Sequence, residues 1–372
     1  MVTATEARPI LEVRQLYKHF PVRQSLVDTL LRKPGKTVRA VDGVSLSIAR
    51  GKVLALVGES GSGKTTIARA LIGLEEPSGG EILFDGQRVE AVKRRRRKGA
   101  GTTARIDLKS LRLRAQMVFQ DPYESLNPRA TIFEIVAEPL EVHGIAKETQ
   151  EREKRVTTAL EEAGLRPAAD YFLRYPHELS GGQRQRVVIA AAMALEPELL
   201  LADEPVSMLD VSIRAEILNL LRELQRKRGV SILFITHDMG TVAYFADHLA
   251  VMYLGRIVES GETFQVLHNP RHPYTQALLS VVPVPNPRLR RQRMILQGET
   301  PNPVDIPSGC RFHPRCPLVF ERCRAEDPEM REVEAGHGAA CLLVGSEGGR
   351  TVDFLAIEQG QQHLGGMDLG GG

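Results

Sequence analysis

The sequence predicts an α/β fold with a doubly wound parallel sheet, followed by a small cysteine-rich C-terminal extension. Three observations support this prediction. Short apolar runs such as VLALVG (53–58) and LLLAD (199–203) have the length and composition of strands buried on both faces. Strand-like and helix-like stretches alternate along the chain, as expected of a parallel sheet. All four cysteines lie between Cys310 and Cys341, whereas residues 1–309 contain none.

Length, composition and charge limit the class of protein. The 372 residues allow one large domain with an appendage or two domains, and 42% hydrophobic with 26% charged residues is typical of soluble globular proteins. The net charge of +3 is too small to indicate a nucleic-acid partner. No apolar run approaches the roughly 18 residues needed to span a bilayer, and the N-terminal stretch lacks a signal-peptide core. We therefore expect a cytoplasmic protein that contacts a membrane only through a partner.

The remaining strands and helices follow from periodicity. Residues 11–20 alternate as an edge strand would, residues 38–48 alternate as a second strand, and residues 21–40 include an inserted loop or short helix. Residues 121–185 are predicted to be a mostly helical insert. The stretch 211–229 carries apolar residues on one helical face and ends on a glycine, as amphipathic helices commonly do.

A phosphate-binding loop follows the predicted strand at 53–58. Residues 58–65, GESGSGKT, fit the pattern G-x-x-x-x-G-K-[ST] in full. In such a loop the backbone N–H groups surround a phosphate chain, Lys64 reaches the β- and γ-phosphates, and the Thr65 hydroxyl binds Mg²⁺. A chance glycine-rich turn would not need a strand before it and a helix after it. The nucleotide-binding candidates are Gly58, Glu59, Ser60, Gly61, Ser62, Gly63, Lys64, Thr65 and Thr66.

Two acidic residues end the second buried strand. The stretch LLLADEPVSMLD places Asp203 and Glu204 at its carboxyl end, the edge where doubly wound sheets bind their ligands. An aspartate there can hold Mg²⁺, and the adjacent glutamate can take a proton from an attacking water. A solvated turn is the alternative, but adjacent acids at the end of a buried strand are rare because unpaired buried carboxylates are costly.

A second glycine-rich helix start, LSGGQ at 179–183, identifies the kind of NTPase. Ser180 is a suitable N-cap for the apolar helix that follows. With this motif the chain resembles the ATP-binding cassette (ABC) ATPases, which implies a P-loop NTPase fold with a RecA-like core and a helical subdomain. The resemblance also implies that two cassettes pair head to tail, each signature contacting ATP bound to the other. The signature residues that would act in trans are Ser180, Gly181, Gly182 and Gln183.

The resemblance assigns roles to four further positions. Gln120, in MVFQDPYESLNP, matches the Q-loop, which contacts Mg²⁺ and couples to membrane subunits. His237, in ILFITHDMG, matches the switch histidine that contacts the γ-phosphate, and Asp210 matches the D-loop. Phe20 occupies the position of the aromatic that stacks on adenine. Tyr17 is a rival for that role, and plain core positions for both rings remain open.

Taken together, these matches give a complete set of reacting groups. Glu204 and His237 are the catalytic candidates, and Thr65, Gln120 and Asp203 are the candidates for holding Mg²⁺. The set does not resemble that of a degenerate half-site. The resemblance therefore implies ATP and Mg²⁺ as substrate and cofactor.

The C-terminal region departs from a minimal cassette. The stretch HPYTQALL (272–279) resembles the extension of oligopeptide and dipeptide importer ATPases, a branch in which a cysteine cluster commonly follows and holds a [4Fe–4S] cluster. From the residues alone, four cysteines suit a zinc or an iron–sulfur site, and the absence of tight C-x2–4-C pairs favours iron–sulfur over zinc. Disulfides or no metal remain open, and His313 and His337 are spare ligands or ordinary loop histidines. The cysteine ligand candidates are Cys310, Cys316, Cys323 and Cys341.

The motifs predict three segments along the chain. They are an ABC nucleotide-binding domain over 1–265 with its helical subdomain at about 121–185, a C-terminal domain over 266–344, and a flexible glycine-rich tail over 345–372. The basic run 93–98 is predicted to be a solvated loop, with attraction to anionic lipid headgroups as the alternative.

The sequence thus predicts an ATP-hydrolysing subunit of an ABC importer for di- and oligopeptides. It would act at the cytoplasmic face of the cell membrane with a second ATPase subunit, two permeases and an extracytoplasmic substrate-binding protein. Nickel or oligosaccharide as solute, a soluble redox-sensing ABC ATPase, and an ABC protein of DNA repair or the ribosome are alternatives. The last class generally has long coiled coils or two nucleotide domains, whereas this chain has one P-loop and no long heptad run.

Overall fold

The structure is a computed structural model that describes residues 8–22, 36–90, 104–282, 294, 296 and 298–344. The basic run at 93–98, most of the predicted insert between 21 and 40, and the glycine-rich tail from 345 lie outside the described residues. Among the described residues, no helix combines the length and apolar character that a bilayer crossing requires.

A five-stranded, mostly antiparallel sheet forms one layer of the fold. The strands are β1 (Leu11–Pro21), β2 (Thr37–Ile48), β4 (Gly79–Phe84), β5 (Gln87–Glu90) and β6 (Arg105–Asp107), in the order β2-β1-β4-β5-β6. The edge position predicted for residues 11–20 is wrong, because β1 pairs with a neighbour on both sides. Its alternating pattern reflects one buried face, and such a face is equally compatible with an internal strand.

An eight-stranded sheet forms the second layer and contains the predicted parallel core. Its order is β12-β13-β11-β10-β3-β9-β8-β7, and the five strands from β10 to β7 are parallel. The strands are β3 (Val53–Val57), β7 (Ala115–Val118), β8 (Leu199–Asp203), β9 (Ser231–Thr236), β10 (His248–Tyr253), β11 (Arg256–Glu262), β12 (Arg331–Glu334) and β13 (His337–Ala339).

The parallel strands are buried on both faces, which explains their continuous apolar sequences. Leu199 and Leu201 of β8 pack into a core shared with the five-stranded sheet, whereas Leu200 and Ala202 pack into a core shared with helices on the opposite face. The side chains of successive residues in a strand point to opposite faces, so both registers must be apolar. The sheet is therefore the central layer of the fold.

Helices connect the strands and form a helical stretch beside the sheet. They are α1 (Lys64–Leu71), α2 (Leu108–Arg114), α3 (Pro122–Ser125), α4 (Ile132–His143), α5 (Thr149–Glu162), α6 (Gly181–Met193), α7 (Val211–Arg228), α8 (Met239–Phe245), α9 (Thr263–His268), α10 (Pro273–Ser280) and α11 (Glu321–Ala325). Gly229 ends α7 in a left-handed conformation, as its sequence predicts.

The residues 266–344, which we call the C-terminal extension, add two strands to the eight-stranded sheet. β13 pairs with β11, and β12 pairs with β13 at the edge. A fully buried hydrogen-bond contact reinforces this junction, since Nε2 of His337 lies 2.8 Å from a carboxylate oxygen of Glu259 in β11. Glu259 also accepts backbone N–H bonds from Arg271 and His272. Buried charges are tolerated only when paired and hydrogen-bonded, and Glu259 has all three partners.

The HPY sequence forms the start of α10. His272 is the N-cap, its Nδ1 accepting the N–H of Tyr274 at 3.0 Å, and Pro273 occupies the first turn. Burial lowers the pKa of His272 to about 4, so the ring is neutral and able to accept at neutral pH. This sequence is thus a helix start that directs the Tyr274 side chain into the core.

Candidate functional site

The phosphate-binding loop is shaped by glycines. Gly61 and Gly63 have φ values of 78° and 107°, a region that side chains rarely occupy. A Cβ on Gly63 would collide with the carbonyl oxygen of Ala40 in β2, and one on Gly58 with that of Met252 in β10. The loop therefore connects the end of β3 to α1 in a conformation that only these glycines allow.

Lys64 lies inside this loop. Its Nζ donates to the carbonyl oxygens of Gly58 at 2.7 Å and of Glu59 at 2.9 Å. Only 5% of the residue is exposed, and burial lowers the pKa of its ammonium group, opposed by the carboxylates of Glu204 and Asp203. The loop thus carries a positive charge enclosed by backbone, at the position where the sequence predicts phosphate binding.

Thr65 and Asp203 lie side by side. The Thr65 hydroxyl donates to Oδ1 of Asp203 at 3.2 Å, which joins the first turn of α1 to the end of β8. Burial raises the pKa of Asp203, opposed by this hydrogen bond. A hydroxyl and a carboxylate oxygen are the kind of hard ligands that Mg²⁺ prefers, so the donors fit the ion implied by the resemblance.

Glu204 connects the acidic strand end to two other predicted residues. Its Oε2 lies 3.2 Å from Nδ1 of His237 and accepts a hydrogen bond from Nε2 of Gln120 at 3.4 Å. Glu204 also has a φ of 46°, in the left-handed region, and its N–H donates to the carbonyl of Ile235 in β9. Backbone strain of this kind is typical of functional positions and requires the surrounding structure to hold it.

A cleft of about 640 Å³ runs over these residues. Its walls include β2 and two residues of the C-terminal extension. The lining residues are Val38, Ala40, Gly58, Glu59, Ser60, Gly61, Gly63, Lys64, Thr65, Thr66, Gln120, Glu204, His237, Leu278 and Pro303. The structure thus brings the predicted Q-loop glutamine, switch histidine and catalytic glutamate to one cleft with the phosphate-binding loop.

The two aromatic candidates for base stacking lie on β1. Phe20 is half-buried and stands opposite Val38, which lines the cleft. Tyr17 stands opposite Asp42, and its hydroxyl lies 3.2 Å from Oε1 of Gln15. Neither ring lines the cleft itself. The pairing with Val38 places Phe20 nearer to the cleft wall than Tyr17.

The signature residues form the start of α6. Ser180 and Gln183 make a reciprocal capping box, in which each side chain accepts the backbone N–H of the other. This confirms the N-cap predicted from sequence. None of the four signature residues lines the cleft of its own chain. Asp210 is exposed at the N-terminus of α7.

The four cysteines lie close together in the extension. All four are described and none is in a disulfide, and Cys310 N–H donates to the carbonyl of Cys323 at 2.8 Å. Burial, with a smaller effect of neighbouring thiols, raises the pKa of Cys316 to about 11 and that of Cys341 to about 12. The donor set suits a sulfur-coordinated group. Yet no three His, Cys, Asp or Glu side chains among the described residues have the arrangement of a metal site.

The two histidines considered as spare ligands have other partners. His337 is engaged with Glu259, and Nδ1 of His313 lies 3.0 Å from the carbonyl oxygen of Cys310. His337 therefore contacts the core strand β11, and His313 contacts the backbone of the extension.

Sequence reasoning missed three residues that contact the phosphate-binding loop from the extension. The hydroxyl of Tyr274 accepts the backbone N–H of Glu59, and the side chains of Thr300 and Arg315 bind its carboxylate. The available signal was the HPY sequence, which includes Tyr274. Nothing local to Thr300 or Arg315 indicates a partner more than 200 residues away.

Comparisons with known proteins agree with this geometry. Residues 41–207 match the ABC transporter family model, and residues 258–323 match the model of the oligopeptide/dipeptide transporter C-terminal region. The oligopeptide transport ATP-binding protein AppF of Bacillus subtilis is 45% identical over 344 residues, covering 92% of this chain and 99% of AppF. A Brucella ovis protein named for peptide import and ATP binding is 46% identical over 334 residues, covering 90% and 98%.

Solved structures share the cassette fold. CbiO1 of Clostridium perfringens, part of the ABC transporter complex CbiONQ, is 31% identical with a TM-score of 0.56, covering 70% of this chain and 91% of CbiO1. The dimeric ATP-binding cassette MJ0796, in a post-hydrolysis state with ADP and Pi, is 27% identical with a TM-score of 0.55, covering 68% and 98%. The chain therefore belongs to the ABC transporter family as an ATP-hydrolysing subunit, in the group with the oligopeptide/dipeptide transporter C-terminal region.

Proposed function

We propose that this chain, as the ATP-hydrolysing subunit of a peptide importer, binds and cleaves ATP in the cleft between β2 and the phosphate-binding loop. The observation that carries the proposal is the convergence of Lys64, the Thr65–Asp203 pair and the Glu204–His237 pair at that cleft. The names of the relatives supply the solute class, since they refer to peptide import and oligopeptide transport.

ATP binding depends on the phosphate-binding loop. Backbone N–H groups of the loop 58–66, apart from that of Glu59, which donates to Tyr274, and the Lys64 ammonium receive the β- and γ-phosphates. The N-terminus of α1 is directed at the same anion. Thr65, Asp203 and Gln120 would hold Mg²⁺, which would supply positive charge that neutralises the charge developing on the phosphates. Phe20 is the ring we assign to stacking on the adenine, because it stands opposite Val38, a residue of the cleft wall.

Hydrolysis depends on the residues at the ends of β8 and β9. Glu204 orients the attacking water and accepts its proton, and His237 contacts the γ-phosphate. The 3.2 Å contact between them supports this role, because it fixes the carboxylate relative to the histidine. Gln120, bound to the same carboxylate oxygen, connects the reacting groups to the helical stretch at 121–185.

A second cassette completes the site in this proposal. Ser180, Gly181, Gly182 and Gln183 bind the γ-phosphate of ATP held by the partner, and Asp210 lies at the same interface. Two observations support the arrangement: the signature residues do not line their own cleft, and the related cassette MJ0796 is dimeric. The capping box occupies the backbone N–H groups of Ser180 and Gln183, and it fixes the start of α6, whose positive end suits an anion from another chain.

The partners follow from the importer role. The chain acts peripherally at the cytoplasmic face of the membrane, bound to two permease subunits, with an extracytoplasmic binding protein delivering the peptide. The residues at 266–344 form a C-terminal domain attached to the nucleotide-binding domain through the sheet edge. The helical stretch and the Q-loop transmit ATP-driven closure to the permeases.

We also propose that the four cysteines hold a [4Fe–4S] cluster, with zinc as the alternative. The four thiols lie in one small region, and neighbouring thiols add to the raised pKa values of Cys310, Cys316 and Cys341, which supports a sulfur-coordinated group. The thiolates would be the ligands. Such a group would cross-link an extension that is too small to have a large core of its own.

Metal analysis tests the cluster. Protein purified without oxygen should be brown, absorb near ~400 nm, and contain about four irons and four sulfides per chain. Replacing Cys316 with Ser should lower both contents, whereas a substitution of the exposed Met330 should not. A colourless protein with about one zinc per chain would establish the zinc alternative.

Stimulated hydrolysis tests the solute class. With the permeases and binding protein reconstituted, ATP hydrolysis should rise when the binding protein carries a peptide. Stimulation by nickel or an oligosaccharide and not by peptides would show that the importer transports one of those solutes instead. Activity that follows the oxidation state of the cysteine region instead would favour the redox-sensing alternative.

A further inference from the structure

Three residues of the C-terminal extension form hydrogen bonds with Glu59, a residue of the phosphate-binding loop. The hydroxyl of Tyr274 accepts the backbone N–H of Glu59 at 2.9 Å. Arg315 binds both carboxylate oxygens of Glu59, at 2.8 and 3.2 Å, and the Thr300 hydroxyl donates to the same carboxylate. One loop residue is therefore held at its backbone and its side chain by three residues of the extension.

Arg315 is supported by a buried aromatic base. Its guanidinium carbon lies 6.0 Å from the centre of the Tyr253 ring, and only 9% of its side chain is exposed. The rings of Tyr253, Tyr274 and Phe312 pack against one another with centroids 4.7 to 5.4 Å apart. A long side chain held in this way loses little further freedom when it binds the loop.

The turn that carries Arg315 is itself fixed. It is closed by backbone hydrogen bonds from His313 to Cys310 at 2.9 Å and from Arg315 to Phe312 at 3.0 Å. The neighbouring Arg311 makes a buried ion pair with Asp42 of β2. The segment between the first two cysteines is thus attached to β2 through Arg311 and to the phosphate-binding loop through Arg315.

Glu59 connects this segment to the phosphate site. Its carbonyl oxygen accepts a hydrogen bond from Nζ of Lys64, the residue that would bind the phosphates. Its carboxylate is also a negative charge on a loop that receives a polyanion, and like charges at short range repel strongly where water is excluded. Arg315 compensates for that charge and fixes the side chain that carries it.

We propose that Arg315 is a positioning residue of the nucleotide site, which fixes and neutralises Glu59 so that the phosphate-binding loop is set for ATP by the C-terminal extension. Thr300 helps to fix the Glu59 carboxylate, and Tyr274 helps to fix the Glu59 backbone. The inference rests on the proposed role of the Lys64 loop in ATP binding. It makes the extension a part of the nucleotide site and not only an appendage.

If Arg315 acts by neutralising Glu59, removing the charge of Glu59 should reverse the effect of removing Arg315, which a purely structural role of Arg315 would not allow. In a Glu204→Gln background, which prevents turnover, Arg315→Ala should raise the Kd for Mg·ATP about tenfold, a typical coupling between sites. Adding Glu59→Gln should restore affinity to within about threefold of the parent, because the uncompensated charge is gone. With Glu204 intact, Arg315→Ala should raise KM for ATP and leave kcat within about twofold, whereas Arg315→Lys should recover part of the loss.

The matched control is Arg322→Ala. Arg322 is an exposed arginine of the same extension whose ion pair is with Glu326 one helical turn away, and its loss should leave the Kd unchanged. If Arg315→Ala fails to fold, Thr300→Val tests the same contact with Glu59 without changing the cysteine segment. It should cause a smaller loss of ATP affinity than Arg315→Ala. Equal Kd values for Arg315→Ala and Arg322→Ala, or no recovery in the Glu59→Gln double variant, would overturn the inference. Absence of ATP binding by the parent chain would instead refute the nucleotide site itself.

Discussion

Replacing Glu204 with Gln should nearly abolish ATP hydrolysis and leave ATP binding intact. Glutamine preserves the shape of the side chain and its contacts with Gln120 and His237, but it cannot accept a proton from water. General-base catalysis contributes about 10²- to 10⁴-fold, so phosphate release should fall by that factor. The variant should therefore retain ATP, which is measurable as bound nucleotide after rapid desalting.

A surface glutamate provides the control. Glu223 lies exposed on α7 and forms an ion pair with Lys227 across one helical turn, so Glu223→Gln should hydrolyse ATP at the parental rate. Parental turnover by Glu204→Gln would refute the catalytic assignment.

Replacing Lys64 with Ala should weaken ATP binding itself. A charge-assisted hydrogen bond to phosphate is worth about 1.5 to 3 kcal/mol, which corresponds to a roughly 10- to 100-fold rise in Kd. The loop would also lose the internal contacts of Nζ with the carbonyls of Gly58 and Glu59. Titration of the variant with ATP by calorimetry measures the effect directly.

Lys52 is the matched lysine. It is about half exposed, contacts Asp247 and lies at the opposite end of β3 from the loop, so Lys52→Ala should bind ATP normally. Equal affinity in the Lys64→Ala and Lys52→Ala variants would show that the phosphates bind elsewhere.

The local parts of the fold were predictable from sequence. The buried strands β3, β8 and β9, the helix α1 and the Ser180 cap each depend on a short stretch whose composition and neighbours act together. The site could also be predicted from sequence. Its motifs follow the carboxyl ends of parallel strands, and those ends lie at the same edge of the sheet. The alternation of apolar and polar residues in β1 predicted a strand but not its position, since β1 lies inside its sheet and not at the edge.

The contacts of the extension were not predictable. β13 pairs with β11 and Arg315 pairs with Glu59, 256 positions away in the sequence. Such pairings depend on how the whole chain folds, and no local pattern encodes them. The HPY sequence showed that α10 begins there, but not that Tyr274 reaches the phosphate-binding loop.

The most direct test of the account is uptake of a labelled peptide into vesicles that contain the reconstituted importer, with ATP enclosed on the side of this chain. Uptake should require enclosed ATP and the peptide-loaded binding protein, and it should stop when this chain carries Glu204→Gln. Uptake at the parental rate with Glu204→Gln, or uptake independent of ATP, would contradict it.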